Sequence, residues 1–342
     1  MITIRDVAKK AGVSPATVSR ILSGDETFSA SEETRKNVAL AVKELGYVPY
    51  LNYRQERKAK AVPEQNRTSV GIITSAAYGK RKANASYLSL HNDVERELLK
   101  NNFSVLFSIA ESELEDSATF EKYFSSPPDA LVYLAKIKQS LFEKLQSIVP
   151  LGIAVDSHYE TLDNVTYDKE RAMQVAVDYL YKQGRRTIAY IGGPGMLRTS
   201  LQTSRRFDGY KKGLLAHDLP LREEYIKNCF WLVDICYQQT RELLELPKVP
   251  DAIICGGDSF HLFSVFRAIY EKGLRIPEDI AVISFTLPSV SDFISPAPTS
   301  MEYSTRLIAA TTVDLLKRRL NGLDIPPIEI IYPTNLVVRD ST

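Results

Sequence analysis

The sequence predicts an α/β protein: a three-helix head with helix-turn-helix spacing, then a body of two doubly wound parallel-sheet lobes. Three observations carry this expectation. The first 47 residues place apolar side chains at helical spacing, punctuated by capping residues and one glycine. From Thr68 onward short β-branched runs follow one another: VGIIT, SVLFSI, ALVYL, LGIAVD, TIAYIGG, AIICGGD and IAVISF. Amphipathic stretches at 88–101, 169–183, 204–216, 237–246 and 259–272 separate several of them, which is the rhythm of βαβ units.

The head reads element by element. Thr3 can cap a first helix, with Asp6 three residues on as its reciprocal partner. Ile4, Val7, Ala8 and Ala11 then recur on one face until Gly12 breaks the pattern. Ser14 caps a second helix, and Pro15 takes its first position, where no N–H is missed. Val18, Ile21 and Leu22 give that helix its inner face. After polar residues 23–30, Ser31 caps a third helix with Glu32 and Glu33 in its first turn. It runs through Val38, Ala41, Val42 and Leu45 to Gly46. The head is thus 1–47. Residues 48–67 are polar, basic and broken by Pro49 and Pro63, and read as a linker with room for a short helix over 51–60.

The body, 68–342, groups its strands before and after residue 165. Lobe one is expected at about 68–165 and 294–325, lobe two at about 166–293 and 326–342. Residues 303–321 form one more long helix, and IEIIYPTNLVVRD supplies late strands. A ligand in such a body sits at the carboxyl ends of the strands, in the crevice between lobes.

Bulk numbers agree. At 342 residues, 44% hydrophobic and 25% charged, the chain suits two or three globular domains. No apolar run approaches the roughly 20 residues of a membrane helix. MITIRDVAKK lacks the apolar centre of a signal peptide, so no membrane partner and a cytoplasmic location are expected. Residues 1–60 hold eleven Lys/Arg against seven Asp/Glu, while the remainder holds 32 against 35. A small basic head on a slightly acidic body confines any nucleic-acid footprint to one end. Cys229, Cys236 and Cys255 have no metal-like spacing and read as buried small hydrophobes. The four histidines are scattered, and neither metal nor cofactor is expected.

The strongest local signal spans Ile4 to Leu22. In a helix-turn-helix Ala8 must be small because the second helix crosses over it, and Gly12 takes a turn that a Cβ penalises. The outward face of the second helix, Ser14, Pro15, Ala16, Thr17, Ser19 and Arg20, then enters the major groove of double-stranded DNA. Hydroxyls there hold phosphates, and Arg20 can grip guanine O6 and N7 together. The plain alternative is a helical hairpin. It leaves the coincidence of glycine, caps and small alanine unexplained.

TIRDVAKKAGVSPATVSRIL, followed by SASEETRKNVALAVKELGYVP, resembles the head of the lactose/galactose repressor (LacI/GalR) family. The likeness continues through DVERELLKNNFSVLF, DKERAMQVAVDYLYKQGRRTIAYIGG, SRRFDGYKKGL, RAIYEKGLRIPEDIAVISF and NLVVRDST. It implies a repressor acting as a homodimer, with a core like periplasmic sugar-binding proteins, a pseudopalindromic operator and a small sugar effector. The nearest regulators, on this resemblance, are those of galactose or β-galactoside use. Another saccharide, or a purine, remains the alternative effector. Thr3, Ser14, Thr17, Ser19, Arg20, Thr34 and Tyr47 match the family's DNA-contacting positions. Pro15 and Ala16 occupy the two positions that vary with operator, and Arg54 fits the linker pattern. In the cleft the resemblance assigns effector contacts to Ser75, Tyr87, Asp156, Arg206, Trp231, Asp258 and Thr286. These residue types suit a neutral polyol: charged planar groups bind adjacent hydroxyls and an aromatic covers the C–H face. Each has a plainer reading. An aspartate at a strand end can cap a helix, Arg206 can bridge lobes by an ion pair, and Trp231 can be core.

The chain departs from the family pattern twice. The family linker reads N-P-x-x-x-A-R-x-L, its leucine wedged into a minor-groove step. Pro49 and Arg54 fit, but Tyr53 replaces the alanine and Glu56 stands where the leucine belongs. A carboxylate cannot intercalate between bases, so the hinge is expected to dock through Tyr50, Tyr53, Arg54, Arg57 and Lys58. In the cleft, Thr286 stands where many relatives carry an effector-binding aspartate, and GKRKANAS after Tyr78 is longer and more basic than usual.

Enzyme chemistry finds no footing. No G-x-S-x-G elbow, Walker loop, HExxH or Cys/His constellation occurs, and GGPG at 192–195 lacks the order of a dinucleotide fingerprint. A sugar-binding module of an uptake system would need an export signal and would not begin with a helix-turn-helix.

Overall fold

The computed structural model describes residues 4–22, 30–45, 67–74, 85–134, 136–195, 200–285, 291 and 293–342. The chain divides into two compact units, Met1–Arg67 and Thr68–Thr342.

In the first unit α1 (Ile4–Ala11), α2 (Pro15–Leu22) and α3 (Glu32–Leu45) close on Val7, Ala8, Val18, Val38 and Ala41, all buried. Gly12 has φ +67° and nothing within 4 Å of a Cβ added to it, so backbone conformation and not space demands glycine there. The Val13 N–H reaches back to the Ala8 carbonyl at 3.0 Å, the wrap that ends a helix on a left-handed residue. Ser14 Oγ accepts from the Thr17 N–H at 3.1 Å, and Ser31 Oγ from the Thr34 N–H at 3.1 Å. Both caps lie where their sequence places them. Lys10 and Glu44 tie α1 to α3 across 2.7 Å.

The second unit holds two sheets built alike. The first comprises β1 (Ser69–Thr74), β2 (Ser104–Ala110), β3 (Ala130–Leu134), β4 (Gly152–Val155), β5 (Asp163–Tyr167) and a late strand Glu329–Tyr332. Helices α4 (Ala85–Lys100), α5 (Ser117–Phe124) and α6 (Gln139–Ile148) connect the first four strands. The second sheet follows α7 (Lys169–Lys182). It comprises β6 (Ile188–Gly192), β7 (Ile226–Asn228), β8 (Ala252–Cys255), β9 (Ala281–Ser284), β10 (Thr299–Glu302) and a late strand Asn335–Val337. Its connecting helices are α8 (Arg205–Leu215), α9 (Val233–Leu244) and α10 (Ser259–Glu271). After β10 come α11 (Thr305–Leu320) and the two late strands, β11 (329–332) and β12 (335–337). The orders are β2-β1-β3-β4-β5-β11 and β7-β6-β8-β9-β10-β12, parallel except for β12 against β10. Each sheet therefore reverses direction once, between β1 and β3 and between β6 and β8. The ends of these strand pairs are where such sheets bind ligands.

The lobe bounds differ from expectation at the end of the chain. Thr299–Glu302 pairs with β9 and belongs to lobe two, whereas Glu329–Tyr332 pairs with β5 and belongs to lobe one. The expected segments 294–325 and 326–342 had these the other way round. TSME carries little apolar signal, and an edge strand such as β11, half-exposed along its length, gives no strong pattern.

Strand β5, DNVTY, escaped the sequence reading because three of its five buried residues, Asp163, Asn164 and Thr166, are polar. Each finds its partner far off in sequence or in a neighbouring turn. Asp163 receives Arg319 at 2.8 and 2.7 Å, and Asn164 bonds the Tyr159 backbone in both directions. Helices α5 and α6 were missed as well, since each buries only two residues along its face. No described helix is long and apolar enough to cross a membrane.

Candidate functional site

On the head, Ser14, Pro15, Ala16 and Arg20 stand exposed along α2. Thr17 is half-buried, its hydroxyl 2.9 Å from Ser14 Oγ, and Thr34 repeats the arrangement with Ser31 at 2.8 Å. Ser19 lies within α2, and only its backbone is described. Thr3, Tyr47, Arg54 and the atypical Glu56 lie outside the described residues. Ser14, Pro15, Ala16 and Arg20 thus share one exposed surface at α2, Thr34 stands on α3, and the hydroxyls are pre-set by capping bonds.

In the body, residues from both sheets meet. Asp156 follows β4 with φ +53°, a conformation aspartate tolerates better than most side chains. Lys169, the first residue of α7, places Nζ 2.6 Å from its carboxylate, and the Thr166 hydroxyl donates to it at 3.3 Å. Tyr167 ends β5 and Tyr303 follows β10, their rings stacked. Burial pushes the Tyr303 phenol well above its usual range, and the neighbouring Tyr167 and Asp156 add to this.

Arg206, second in α8, donates to the Tyr167 hydroxyl. Its guanidinium carbon lies 4.7 Å from the Phe285 ring centroid, 5.3 Å from Trp231 and 5.9 Å from Tyr167. It forms no ion pair among the described residues, so the inter-lobe salt bridge is not what it makes; the contact across lobes is to a phenol. Trp231 is half-buried, at φ +57°, and donates Nε1–H to the Pro194 carbonyl at 2.9 Å. A Cβ on Gly193 would come within 2.5 Å of the indole, so the ring's seat depends on that glycine.

Asp258 takes the plainer role. It is buried, caps α10 through the Phe260 N–H at 3.1 Å, and holds His261 Nδ1 at 2.8 Å. Burial disfavours the charged imidazole, but the Asp258 carboxylate outweighs it and lifts the His261 pKa above its usual value. His261 meets the edge of Trp231 at 6.3 Å, which is how Asp258 connects to the cleft. Tyr87 donates its hydroxyl to the Leu134 carbonyl, at the carboxyl end of β3. Ser75 and Thr286 lie outside the described residues. Lys169, Tyr167, Tyr303 and Phe285 were missed by sequence reasoning. The YDK triplet that ends the unrecognised β5 and opens α7 was the available signal for two of them.

The three cysteines are buried with free thiols. A hydrogen bond with Cys236, and burial, push the Cys229 thiol far up, so these are packing groups. No cluster fit for a metal occurs among the described residues.

Comparison with known proteins gives a consistent picture. Residues 3–50 match the family model described as bacterial regulatory proteins, lacI family, and residues 177–342 match a periplasmic binding protein-like domain. The chain is 24% identical over 346 residues to the HTH-type transcriptional repressor MelR of Bacillus subtilis (strain 168), covering 100% of this chain and 97% of that one. It is 27% identical over 345 residues to Catabolite control protein A of Priestia megaterium, covering 100% and 99%. A solved transcriptional regulator CelR–cellobiose complex shares the fold with a TM-score of 0.69, at 24% identity and covering 100% of both chains. These relatives are not specifically galactose regulators, which corrects the expected nearness to that group.

Proposed function

We propose that this chain, a member of the lacI family of bacterial regulatory proteins, represses transcription by binding operator DNA as a homodimer under control of a small saccharide. The observation that carries the reading is the exposed α2 surface of Ser14, Pro15, Ala16 and Arg20, set by the Gly12 turn on a lacI-family head. Pro15 and Ala16 can only touch thymine methyls or exclude bulk, so polar reading falls to Arg20. Thr17, Ser19 and Thr34 hold phosphates, with Thr3, Tyr47 and Arg54 completing the contact set.

The effector sits where Asp156, Arg206 and Trp231 converge. Asp156 and Arg206 bind hydroxyls from opposite lobes, and the indole covers a C–H face. Tyr87 lies at the rim beside β3, with Ser75 and Thr286 at neighbouring strand ends in sequence, and Asp258 supports from behind through His261. Galactose or a galactoside is the first scaffold to try. Closure of the lobes on it alters the spacing of the two heads in the dimer and so the operator affinity.

The test is a mobility shift at fixed salt, on an operator selected from a random duplex pool, with galactose, lactose, cellobiose or ribose added. The expected result is operator affinity at least about 10³-fold above non-specific DNA, changed about tenfold or more by one sugar. Uniform affinity for all duplexes would sink the reading.

A further inference from the structure

Among the described residues the charges around the cleft do not cancel. Arg206 is half-buried; its described hydrogen bond is to the Tyr167 hydroxyl, and the rings of Trp231, Phe285 and Tyr167 lie around its guanidinium. Its Nε is buried without a hydrogen-bond partner. Asp156 lies within electrostatic reach, but Lys169 already holds that carboxylate at 2.6 Å. Asp258 is engaged by His261 and by the start of α10. Among the described residues, two cations, Arg206 and Lys169, therefore share one carboxylate. Taking a cation out of water costs free energy that ring faces and one phenol return only in part. An anion entering beside it restores the balance.

We infer that the effector is an anionic saccharide, a hexose carrying a carboxylate or a phosphate. Its anionic group joins the Arg206 guanidinium, whose planar donors match either oxyanion, and its hydroxyls divide between Asp156 and Lys169. Residue types alone suit a neutral polyol; their pairing does not. This inference rests on the reading of the cleft as a saccharide site.

The experiment is titration calorimetry on the full chain with galactose, galacturonate and galactose 6-phosphate, at about 20 mM and about 300 mM salt. One anionic sugar is expected to bind about tenfold or more tightly than galactose, with an advantage that shrinks at high salt; which one it is separates carboxylate from phosphate. Arg206→Gln and Lys169→Gln should each erase that advantage. Thermal unfolding checks both folds, and the salt series stands if Arg206→Gln does not fold. Galactose binding as tightly as both anionic sugars overturns the charge inference and leaves the saccharide reading intact. If no sugar of either charge binds or moves operator affinity, the saccharide reading itself fails.

Discussion

The phenol ring of Tyr167 lies flat against that of Tyr303, centroids 3.8 Å apart and planes within 10° of parallel. Each stands at a point where the chain leaves one sheet for the other, Tyr167 at the end of β5 and Tyr303 just past β10. A stacked pair therefore joins two of the crossings between the sheets. Arg206 bonds the Tyr167 hydroxyl of that pair from lobe two.

Tyr303→Ala removes the stack. It is expected to lower stability by about 2 kcal/mol, the lower range for losing an aromatic from a half-buried site. It should also shrink the effector-dependent change in operator affinity. Tyr167→Phe keeps the stack and removes only the hydroxyl, so stability should hold within about 1 kcal/mol while effector affinity drops. Urea unfolding and effector titration together separate the two.

Arg20→Ala is expected to weaken selected-operator binding by about 1–3 kcal/mol and to relax preference at one base pair. A competition shift against operators substituted base by base reads this out. Equal losses at every position would mark Arg20 as a phosphate contact instead.

The Asp258–His261 pair makes a pH prediction with a definite sign. The folded His261 pKa is raised, so its stabilisation is complete below about pH 6.5 and drains away as pH climbs through the folded value. In Asp258→Asn burial becomes the dominant influence on the ring, above the smaller Cys229 and Trp231 contributions, which reverses the slope, and stability should then rise with pH. Unfolding free energies from pH 5.5 to about 8.5 test this; parallel slopes would refute it.

Asp163→Asn removes the counter-charge of Arg319, leaving its bonds to the Leu323, Ile325 and Pro326 carbonyls. Burial opposes the Asp163 charge, but Arg319 and the Ile328 N–H outweigh it and hold the carboxyl below its usual value. The substitution should cost about 3 kcal/mol at neutral pH, measured by denaturant unfolding. The wild-type advantage should fade only in acid, as pH falls through the depressed value.

Much of this was legible. Gly12, Ser14 and Ser31 wrote the head in local chemistry, where each residue's role is settled within four positions of chain. Apolar runs such as ALVYL marked the parallel strands because both their faces are covered. What stayed hidden depended on distant partners. DNVTY is a strand only because Arg319 and Tyr159 satisfy it, and Lys169 enters the cleft only because Asp156 sits 2.6 Å away. Asp258 looked like a ligand group, yet the histidine three residues on had claimed it.

The exchange of β10 and β11 between sheets bears on how the protein is made. Neither half of the body is one uninterrupted stretch: the first needs 69–167 with 305–332, the second 188–302 with 335–341. A ribosome that has reached residue 300 has already delivered Asp156, Arg206 and Trp231, yet both sheets still lack an edge. The pocket's chemistry is present well before either half is finished, and the two halves complete within a few residues of each other. Their maturation is coupled by threading order alone, and neither can be excised for separate expression without re-joining the chain.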